Sequence, residues 1–357
     1  MQKHLPLQSH PSLQPDVKPI IRPLSSLRNR FLDRCVLRPS MHIIDPGEQT
    51  RCNLPLHLPG SKQTTNLETF VATNLTGDAA LSSKIPKDAT ELTDWSSVPH
   101  PATLLIKFPG TAGRAERSSP FPANLIAARL TNDLPGQPDP SSGRSEKDDT
   151  TSGCSPRSAN SVEPGQHYEV WTWNPPGYGR SGGRASLAKL VPAAEEFASQ
   201  VVGARGGSRT QIWLCGNSLG CLPALSLAAR LPQWQPPNLD VDNCLLWLRN
   251  PPDLANTILG VADRYASRSW MQRLVAHLPE TLNARANAAK CNLPAVFLMS
   301  EHDELVPPHL QRGIHEAYRG AHRVVMLAEL GHSGAIEEQH RGEVQAAVDW
   351  LLATTAS

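Results

Sequence analysis

Residues 211–220 read QIWLCGNSLG, a short apolar run that ends at the pentapeptide Gly-Asn-Ser-Leu-Gly. The stretch that follows, CLPALSLAAR, consists mainly of small and helix-favouring residues. A strand that turns sharply into a helix needs small residues on both sides of the turn, because the two backbone segments come close together. Gly216 and Gly220 meet this need, and Ser218 lies midway between them. The stretch therefore predicts a strand, a tight turn with an exposed serine hydroxyl, and a helix.

Short apolar runs alternate with amphipathic runs along much of the chain, which is typical of β-α units around a mostly parallel sheet. The predicted strands are residues 67–72, 103–108, 168–173, 210–215, 243–248, 295–299 and 323–327. The predicted helices are residues 122–130, 187–202, 219–229, 308–318 and 336–352. We therefore predict an α/β fold in which helices flank a mostly parallel sheet.

Composition narrows the class of protein. The 34 Lys and Arg residues nearly balance the 33 Asp and Glu residues, so no overall basic field attracts nucleic acid or anionic lipid. We expect a small-molecule acyl substrate as the partner. Seven cysteines at irregular spacing form neither a disulfide framework nor a zinc pattern, so we predict no metal. Because no apolar run is long enough to span a bilayer, we expect a cytoplasmic protein without an integral membrane segment.

The 33 prolines are unevenly distributed and indicate how the chain is organised. Residues 1–40 are predicted to be a partly disordered N-terminal extension, and residues 41–357 a single α/β domain. Within that domain, the polar residues 132–166 are predicted to be an insertion loop. Residues 253–290 are predicted to form a short helical cap over a substrate pocket, to which we assign Tyr178, Tyr265, Trp270 and Met271.

A serine hydroxyl becomes a strong nucleophile when a histidine accepts its proton and an acid holds that histidine. Asp303 follows the predicted strand 295–299, and His332 lies in the loop after the last predicted strand, 323–327. The carboxyl ends of parallel strands meet at the same edge of a sheet, where Ser218 also lies. We therefore predict Ser218, Asp303 and His332 as catalytic residues.

Other residues compete for the two supporting roles. Glu301 and Asp253 are alternatives for the acid, and Asp253 follows the preceding predicted strand. Four further histidines come after Asp303, but they lie in helical patterns or before a strand: His309, His315, His322 and His340. His332 is therefore the preferred base.

Acyl transfer also requires donors for the oxyanion that forms on the substrate. The backbone N–H of Leu219, directly after the serine, is one candidate. The predicted strand 103–108 runs into a glycine-rich loop, FPGTAG at residues 108–113, in which Thr111 or Ala112 is predicted to donate a second N–H. The alternative for this loop is an ordinary tight turn.

The segment GYGRSG, residues 177–182, has the glycine spacing of a dinucleotide-binding loop. That function requires the first glycine to follow directly on a first strand. Here Pro175 and Pro176 intervene, so the segment is interpreted as a loop and no cofactor is predicted.

These motifs occur in one order: FPGTAG, NPPGYGRSGG (174–183), GNSLG, SEHDELVP (300–307) and LGHSG (330–334). Together they resemble the α/β-hydrolase superfamily, especially its single-domain serine esterases and peptidase-like proteins, over residues 67–357. The resemblance implies a mostly parallel sheet of the eight-stranded type and a Ser-His-Asp triad that forms an acyl-enzyme. Pro109 replaces the histidine that usually precedes the loop glycine, which affects the conformation of the loop.

The function predicted first is therefore hydrolysis of a carboxylic ester or a related acyl bond. A serine peptidase of the same fold is an alternative, although no exopeptidase motif is present. A non-catalytic binding module of this fold is a third possibility, which absence of ester turnover by the folded protein would favour.

Overall fold

The computed structural model describes residues 23–58, 63–77, 79–86, 91–132, 167–231, 233–234, 236, 239–262 and 268–355. Residues 1–22 of the predicted extension and residues 133–166 of the predicted insertion lie outside these ranges.

Eight strands form one sheet. They are β1 (Thr50–Leu56), β2 (Thr65–Thr73), β3 (Thr103–Phe108), β4 (Tyr168–Trp173), β5 (Gln211–Asn217), β6 (Cys244–Arg249), β7 (Ala295–Ser300) and β8 (His322–Leu327). Their order is β1-β2-β4-β3-β5-β6-β7-β8. The strands from β4 to β8 in this order are parallel, and β2 is antiparallel to both β1 and β4. The predicted α/β architecture with a mostly parallel sheet is confirmed.

The described residues form ten α-helices. They are α1 (Pro23–Val36), α2 (Ala79–Ser82), α3 (Ala123–Asn132), α4 (Leu187–Arg205), α5 (Cys221–Ala229), α6 (Leu254–Ala262), α7 (Arg268–Val275), α8 (Ala284–Ala288), α9 (Pro308–His315) and α10 (Glu338–Thr354). None of the helices in the described ranges is long and apolar enough to cross a membrane.

The helices cover both faces of the sheet because successive strand residues point to opposite sides. On β3, Leu104 and Ile106 belong to a core that includes apolar residues of α4 and α5. Leu105, between them, belongs to a second core with residues of α3 and α10. The central strands are therefore buried on both faces, and their carboxyl ends and the loops after them remain available for a site.

Strand β1 and helices α1 and α2 were not predicted. The edge strand β1 contains Pro55, which weakens a strand pattern, but Cys52, Leu54 and Leu56 alternate along it and are buried. Helix α1 falls within the predicted extension, and its Leu32 is buried in the core that contains α4. The N-terminal segment from residue 28 onward therefore packs against the α/β domain.

The predicted cap segment, residues 253–290, contains α6, α7, a 3₁₀ turn at Glu280–Leu282 and α8. It is helical, as predicted, and α8 packs against α5. Its role as a cap over the substrate stays a prediction.

Candidate active site

Ser218 lies at the turn between β5 and α5. Its φ angle is 50°, a left-handed conformation that costs energy for a residue with a Cβ and is found most often at functional sites. The flanking glycines are required by close contacts. A Cβ on Gly216 would lie 2.5 Å from the Cα of Cys221, and one on Gly220 would collide with the carbonyl oxygen of Phe108. The sequence thus forms the strained strand-turn-helix that the Gly-Asn-Ser-Leu-Gly pattern predicts. The expectation of an exposed serine is wrong: Ser218 is 7 % exposed, because His332 and the loop after β3 lie against it.

His332 lies in the loop after β8 and reaches Ser218 across the sheet edge. Its Nε2 is 2.9 Å from Ser218 Oγ, and its Nδ1 is 2.8 Å from Asp303 Oδ2. A carboxylate can only accept hydrogen bonds, so Nδ1–H donates to Asp303 and Nε2 is left to accept from the serine hydroxyl. The imidazole is therefore held in the tautomer that can remove a proton from Ser218.

Asp303 lies just after β7 and is 3 % exposed. Its Oδ1 accepts hydrogen bonds from the backbone N–H groups of Leu305, at 3.0 Å, and Val306, at 2.7 Å. The Nε2 amide of Gln311 donates to Oδ2 at 3.3 Å. These bonds fix the carboxylate plane, so that Oδ2 faces His332.

The two alternative acids occupy other positions. Asp253 is bound to the start of α6: its Oδ1 accepts from Asn256 N at 3.2 Å and its Oδ2 from Asn256 Nδ2 at 2.8 Å. Glu301 is exposed, and its Oε2 accepts the backbone N–H of Glu329 at 3.0 Å. Of the three acids considered, Asp303 is hydrogen-bonded to His332.

The glycine-rich loop after β3, residues 109–113, lies against the serine. A Cβ on Gly110 would be 3.2 Å from Ser218 Cβ and 3.8 Å from Ser218 Oγ. Within the described part of the chain, the backbone N–H groups of Thr111 and Ala112 donate no hydrogen bond to another protein atom. The loop that lies against Ser218 therefore carries backbone donors that no described protein atom uses. Leu219 follows the serine in the 3₁₀ turn Ser218–Gly220.

Tyr178 is hydrogen-bonded to the glycine-rich loop and supports it. The phenol donates to the carbonyl oxygen of Thr111 at 2.9 Å and accepts the backbone N–H of Arg38 at 3.1 Å. Burial raises the pKa of Tyr178, so the phenol stays a donor. Thr111 Oγ1 also donates to the carbonyl oxygen of Val36, at the end of α1. The N-terminal segment and the loop after β4 thus support the glycine-rich loop together.

A buried polar network supports residues 114–116, which directly follow the glycine-rich loop. Asn174 Nδ2 donates to Glu68 Oε2 at 2.9 Å and to Glu116 Oε2 at 3.0 Å, and Asn174 Oδ1 accepts from Ala115 N at 3.0 Å. Arg114 forms an ion pair with Glu116, and both side chains are 3 % exposed. The motif NPPGYGRSGG is therefore joined by side-chain bonds to residues 114–116, directly after FPGTAG.

Two residues at the end of β6 hold the loop after β8 that carries His332, called the histidine loop below. Asn250 has a φ angle of 51°, and its Nδ2 donates to Ser300 Oγ at 3.0 Å and to the carbonyl oxygen of His332 at 3.2 Å. Arg249 Nη2 donates to the carbonyl oxygen of Gly334. Burial lowers the pKa of Arg249, and the negative charge of Asp303 opposes that shift. Neither Arg249 nor Asn250 was predicted as a functional residue.

A small cavity lies between the glycine-rich loop, the loop after β4 and the start of α5, and it is lined by Gly110 and Leu219, which are next to Ser218. It has a volume of about 20 Å³. Its wall includes six large aliphatic or aromatic side chains: Leu37, Phe108, Trp173, Tyr178, Leu190 and Leu219.

Of the four predicted pocket residues, one lines this cavity in the described structure. Tyr178 lines the cavity, and Tyr265 lies outside the described residues. Trp270 is 45 % exposed and packs edge-to-face on Phe31 of α1, with ring centroids 5.1 Å apart. Met271 is buried in the core. In the described structure neither Trp270 nor Met271 lines this cavity.

One group of potential metal ligands occurs among the described residues. Atoms of Glu301, His302 and Glu329 lie within 4.8 Å of one another, and all three residues are exposed. Exposed acidic groups are common without a bound ion, so this geometry does not assign a metal.

The comparisons with known proteins agree with this architecture. Residues 159–347 match the model of the alpha/beta hydrolase family, and the chain belongs to that family. No curated protein matches the chain in sequence. An esterase of Pyrococcus furiosus shares 11 % identity at a TM-score of 0.51, over 90 % of this chain and 97 % of its own. A protein of Agrobacterium vitis shares 13 % identity at a TM-score of 0.50, over 85 % of this chain and 98 % of its own. At these identities the likeness concerns the fold.

Proposed function

We propose that the protein is a serine hydrolase that cleaves carboxylic esters through an acyl-enzyme. The observation that carries the proposal is the continuous series of hydrogen bonds from Ser218 Oγ to His332 Nε2 and from His332 Nδ1 to Asp303. Membership of the alpha/beta hydrolase family supports it. Ser218, His332 and Asp303 then act as nucleophile, base and orienting acid.

In the first half of the reaction, His332 Nε2 takes the proton of the Ser218 hydroxyl while Oγ attacks the ester carbonyl carbon. The carbonyl oxygen becomes an oxyanion, which accepts hydrogen bonds from the backbone N–H groups of Leu219 and of Thr111 or Ala112. The tetrahedral intermediate then loses the alcohol, which takes the proton from His332. The products of this half are the acyl-enzyme and a free alcohol.

In the second half, water attacks the acyl carbon and gives a proton to His332. The second tetrahedral intermediate loses Ser218 Oγ, which takes the proton back from His332. A carboxylic acid leaves, and the enzyme returns to its starting state. Asp303 keeps its negative charge throughout and stabilises the protonated imidazole.

The test is turnover of a series of 4-nitrophenyl esters by the parent protein and by Ser218→Ala. Ser226→Ala is the matched control, because Ser226 is a buried serine further along α5. We expect Ser218→Ala to lose at least ~10³-fold in kcat, and Ser226→Ala to retain the parent rate. Absence of turnover by the folded parent protein would contradict the proposal and favour a binding module.

A further inference from the structure

The small cavity described above is lined by residues that are neighbours of Ser218. Gly110 contributes to its wall and is also the loop residue that lies against Ser218. Leu219 and Gly220, directly after the serine, line it as well. The cavity is therefore lined by residues that lie next to Ser218, and one of them, Leu219, is a proposed oxyanion donor.

His332 reaches Ser218 from the loop after β8, whose described residues do not line the cavity. Among the described residues that line the cavity, none comes from the loops after β6, β7 or β8, which carry Asn250, Asp303 and His332. The cavity wall comes instead from the segment after α1, the loops after β3 and β4, and helices α4 and α5. The elements that form the cavity wall are thus different from those that hold the imidazole.

The chemistry of ester cleavage determines which part of the substrate lies next to His332 and which part is directed away from it. The departing alcohol oxygen must receive its proton from His332 Nε2, so the alcohol part of the substrate lies on the histidine side. The acyl substituent is then directed away from His332 while its carbonyl oxygen faces the donors of Leu219 and Thr111. Resting on the proposed function, we infer that the cavity binds the acyl group of the substrate and selects short, unbranched acyl chains such as acetyl.

The size and lining of the cavity support a short chain. Its volume is about 20 Å³, and roughly 10–15 Å³ is enough for one water molecule, which is close in size to a methyl group. Phe108 and Trp173 are fully buried, so this part of the wall is packed into the core. An acyl chain beyond about two or three carbons would have to displace these side chains.

Leu37 lines the cavity from the N-terminal segment and is 5 % exposed. Its position is fixed by two hydrogen bonds. The backbone N–H of Leu37 donates to the carbonyl oxygen of Asp33 at 2.8 Å, and Asp33 Oδ1 accepts the N–H of Leu187, at the start of α4, at 2.8 Å. Leu190 of α4 also contributes to the wall. Leu37 and Leu190 are therefore the specificity-determining residues in this inference.

The experiment measures kcat/KM for 4-nitrophenyl acetate, butyrate and octanoate with the parent protein, Leu37→Ala and Leu190→Ala. Leu54→Ala is the control, because Leu54 is buried in the same core but does not line the cavity. Ratios of kcat/KM between esters do not depend on the fraction of folded enzyme, so a loss of stability does not affect the comparison.

We expect the parent protein to prefer acetate over octanoate by at least about a hundredfold. Leu37→Ala and Leu190→Ala should each raise the butyrate-to-acetate ratio about tenfold, as expected for room for one further methylene or more. Leu54→Ala should keep the parent ratio.

The outcomes separate this inference from the proposed function. Equal turnover of acetate and octanoate by the parent protein would overturn the inference and leave the serine hydrolase in place. An acetate preference that neither leucine substitution changes would also overturn the assignment of the cavity. Turnover of no ester, together with no covalent labelling of Ser218, would contradict both.

Discussion

The side-chain amide of Asn250 donates a hydrogen bond to the backbone carbonyl oxygen of His332, 3.2 Å away. Asn250 Oδ1 also accepts the backbone N–H of Ser300, at 2.8 Å, so one amide joins the ends of β6 and β7 to the histidine loop. Asn250 is fully buried and has a left-handed φ of 51°, which asparagine tolerates better than most residues. The position of His332 relative to Ser218 therefore depends on a residue outside the three proposed catalytic side chains.

We expect Asn250→Ala and Asn250→Gly both to lower kcat for a nitrophenyl ester about tenfold or more, with little change in KM. Glycine removes the amide but accepts the left-handed φ, whereas alanine loses the amide and adds backbone strain. Steady-state kinetics and thermal unfolding of both variants separate the two effects. If Asn250→Gly has the parent kcat, the amide does not position His332.

Asp303→Asn tests the role of the acid. Because Oδ1 of Asp303 accepts two backbone N–H groups, an asparagine there would place its NH₂ group towards His332 Nδ1 and favour the wrong tautomer. We expect kcat to fall by ~10⁴-fold, as for the same substitution in a Ser-His-Asp triad. Asp253→Asn, at the alternative acid, should retain the parent kcat. The opposite pattern would assign the acid to Asp253.

Tyr178→Phe tests the support of the glycine-rich loop. The variant loses the bond from the phenol to the carbonyl oxygen of Thr111 but keeps the ring in the cavity wall. We expect a decrease in kcat of about fivefold to tenfold at nearly constant KM, since one hydrogen bond that orients the oxyanion donors is lost. Tyr168→Phe, at the start of β4, is the matched control. A fall in kcat of the same size in both variants would show that the effect is not specific to the loop.

Alkaline pH should destabilise the protein through its buried thiols. Burial raises the pKa of four cysteines to about 12, namely Cys52, Cys215, Cys244 and Cys291. Between pH 9 and 12 these thiols stay protonated in the folded state and ionise in the unfolded state. The folded state therefore binds more protons, so the free energy of unfolding falls as pH rises through this window.

Urea unfolding at pH 8, 9.5 and 10.5 measures this fall. The free energy of unfolding should fall less steeply with pH in Cys291→Ala. The slope should be smaller by up to ~1.4 kcal/mol per pH unit, which is the contribution of one thiol. A slope that is the same in Cys291→Ala and in the parent protein would contradict the assignment.

Much of the sheet was predictable because its buried central strands are short apolar runs bounded by glycine, proline or polar residues. The pattern predicted all six parallel strands, and it also placed Ser218, Asp303 and His332 at strand ends. Strand β1 was missed because Pro55 interrupts an otherwise alternating edge strand. Helix α1 was missed because the prolines near it favoured an extension, although Leu32 and Leu37 pack into the core.

Residues that bind backbone groups of the site gave little signal in the sequence. Asn250 and Arg249 bind carbonyl oxygens of the histidine loop, and Leu37 reaches the cavity from a segment distant in sequence. Such contacts depend on the tertiary fold rather than on a local pattern. An asparagine that directly follows a strand and precedes Pro251 and Pro252 is, in retrospect, a weak signal of a left-handed residue.

The most direct test of the proposed function is the site of covalent labelling by a fluorophosphonate. Trypsin should release residues 210–230, a peptide that contains both Ser218 and Ser226, and mass spectrometry of its fragments locates the adduct. We predict about one phosphonyl group per protein, on Ser218, with labelling abolished in Ser218→Ala and retained in Ser226→Ala. Labelling of Ser218→Ala to the same extent as the parent protein would contradict the account.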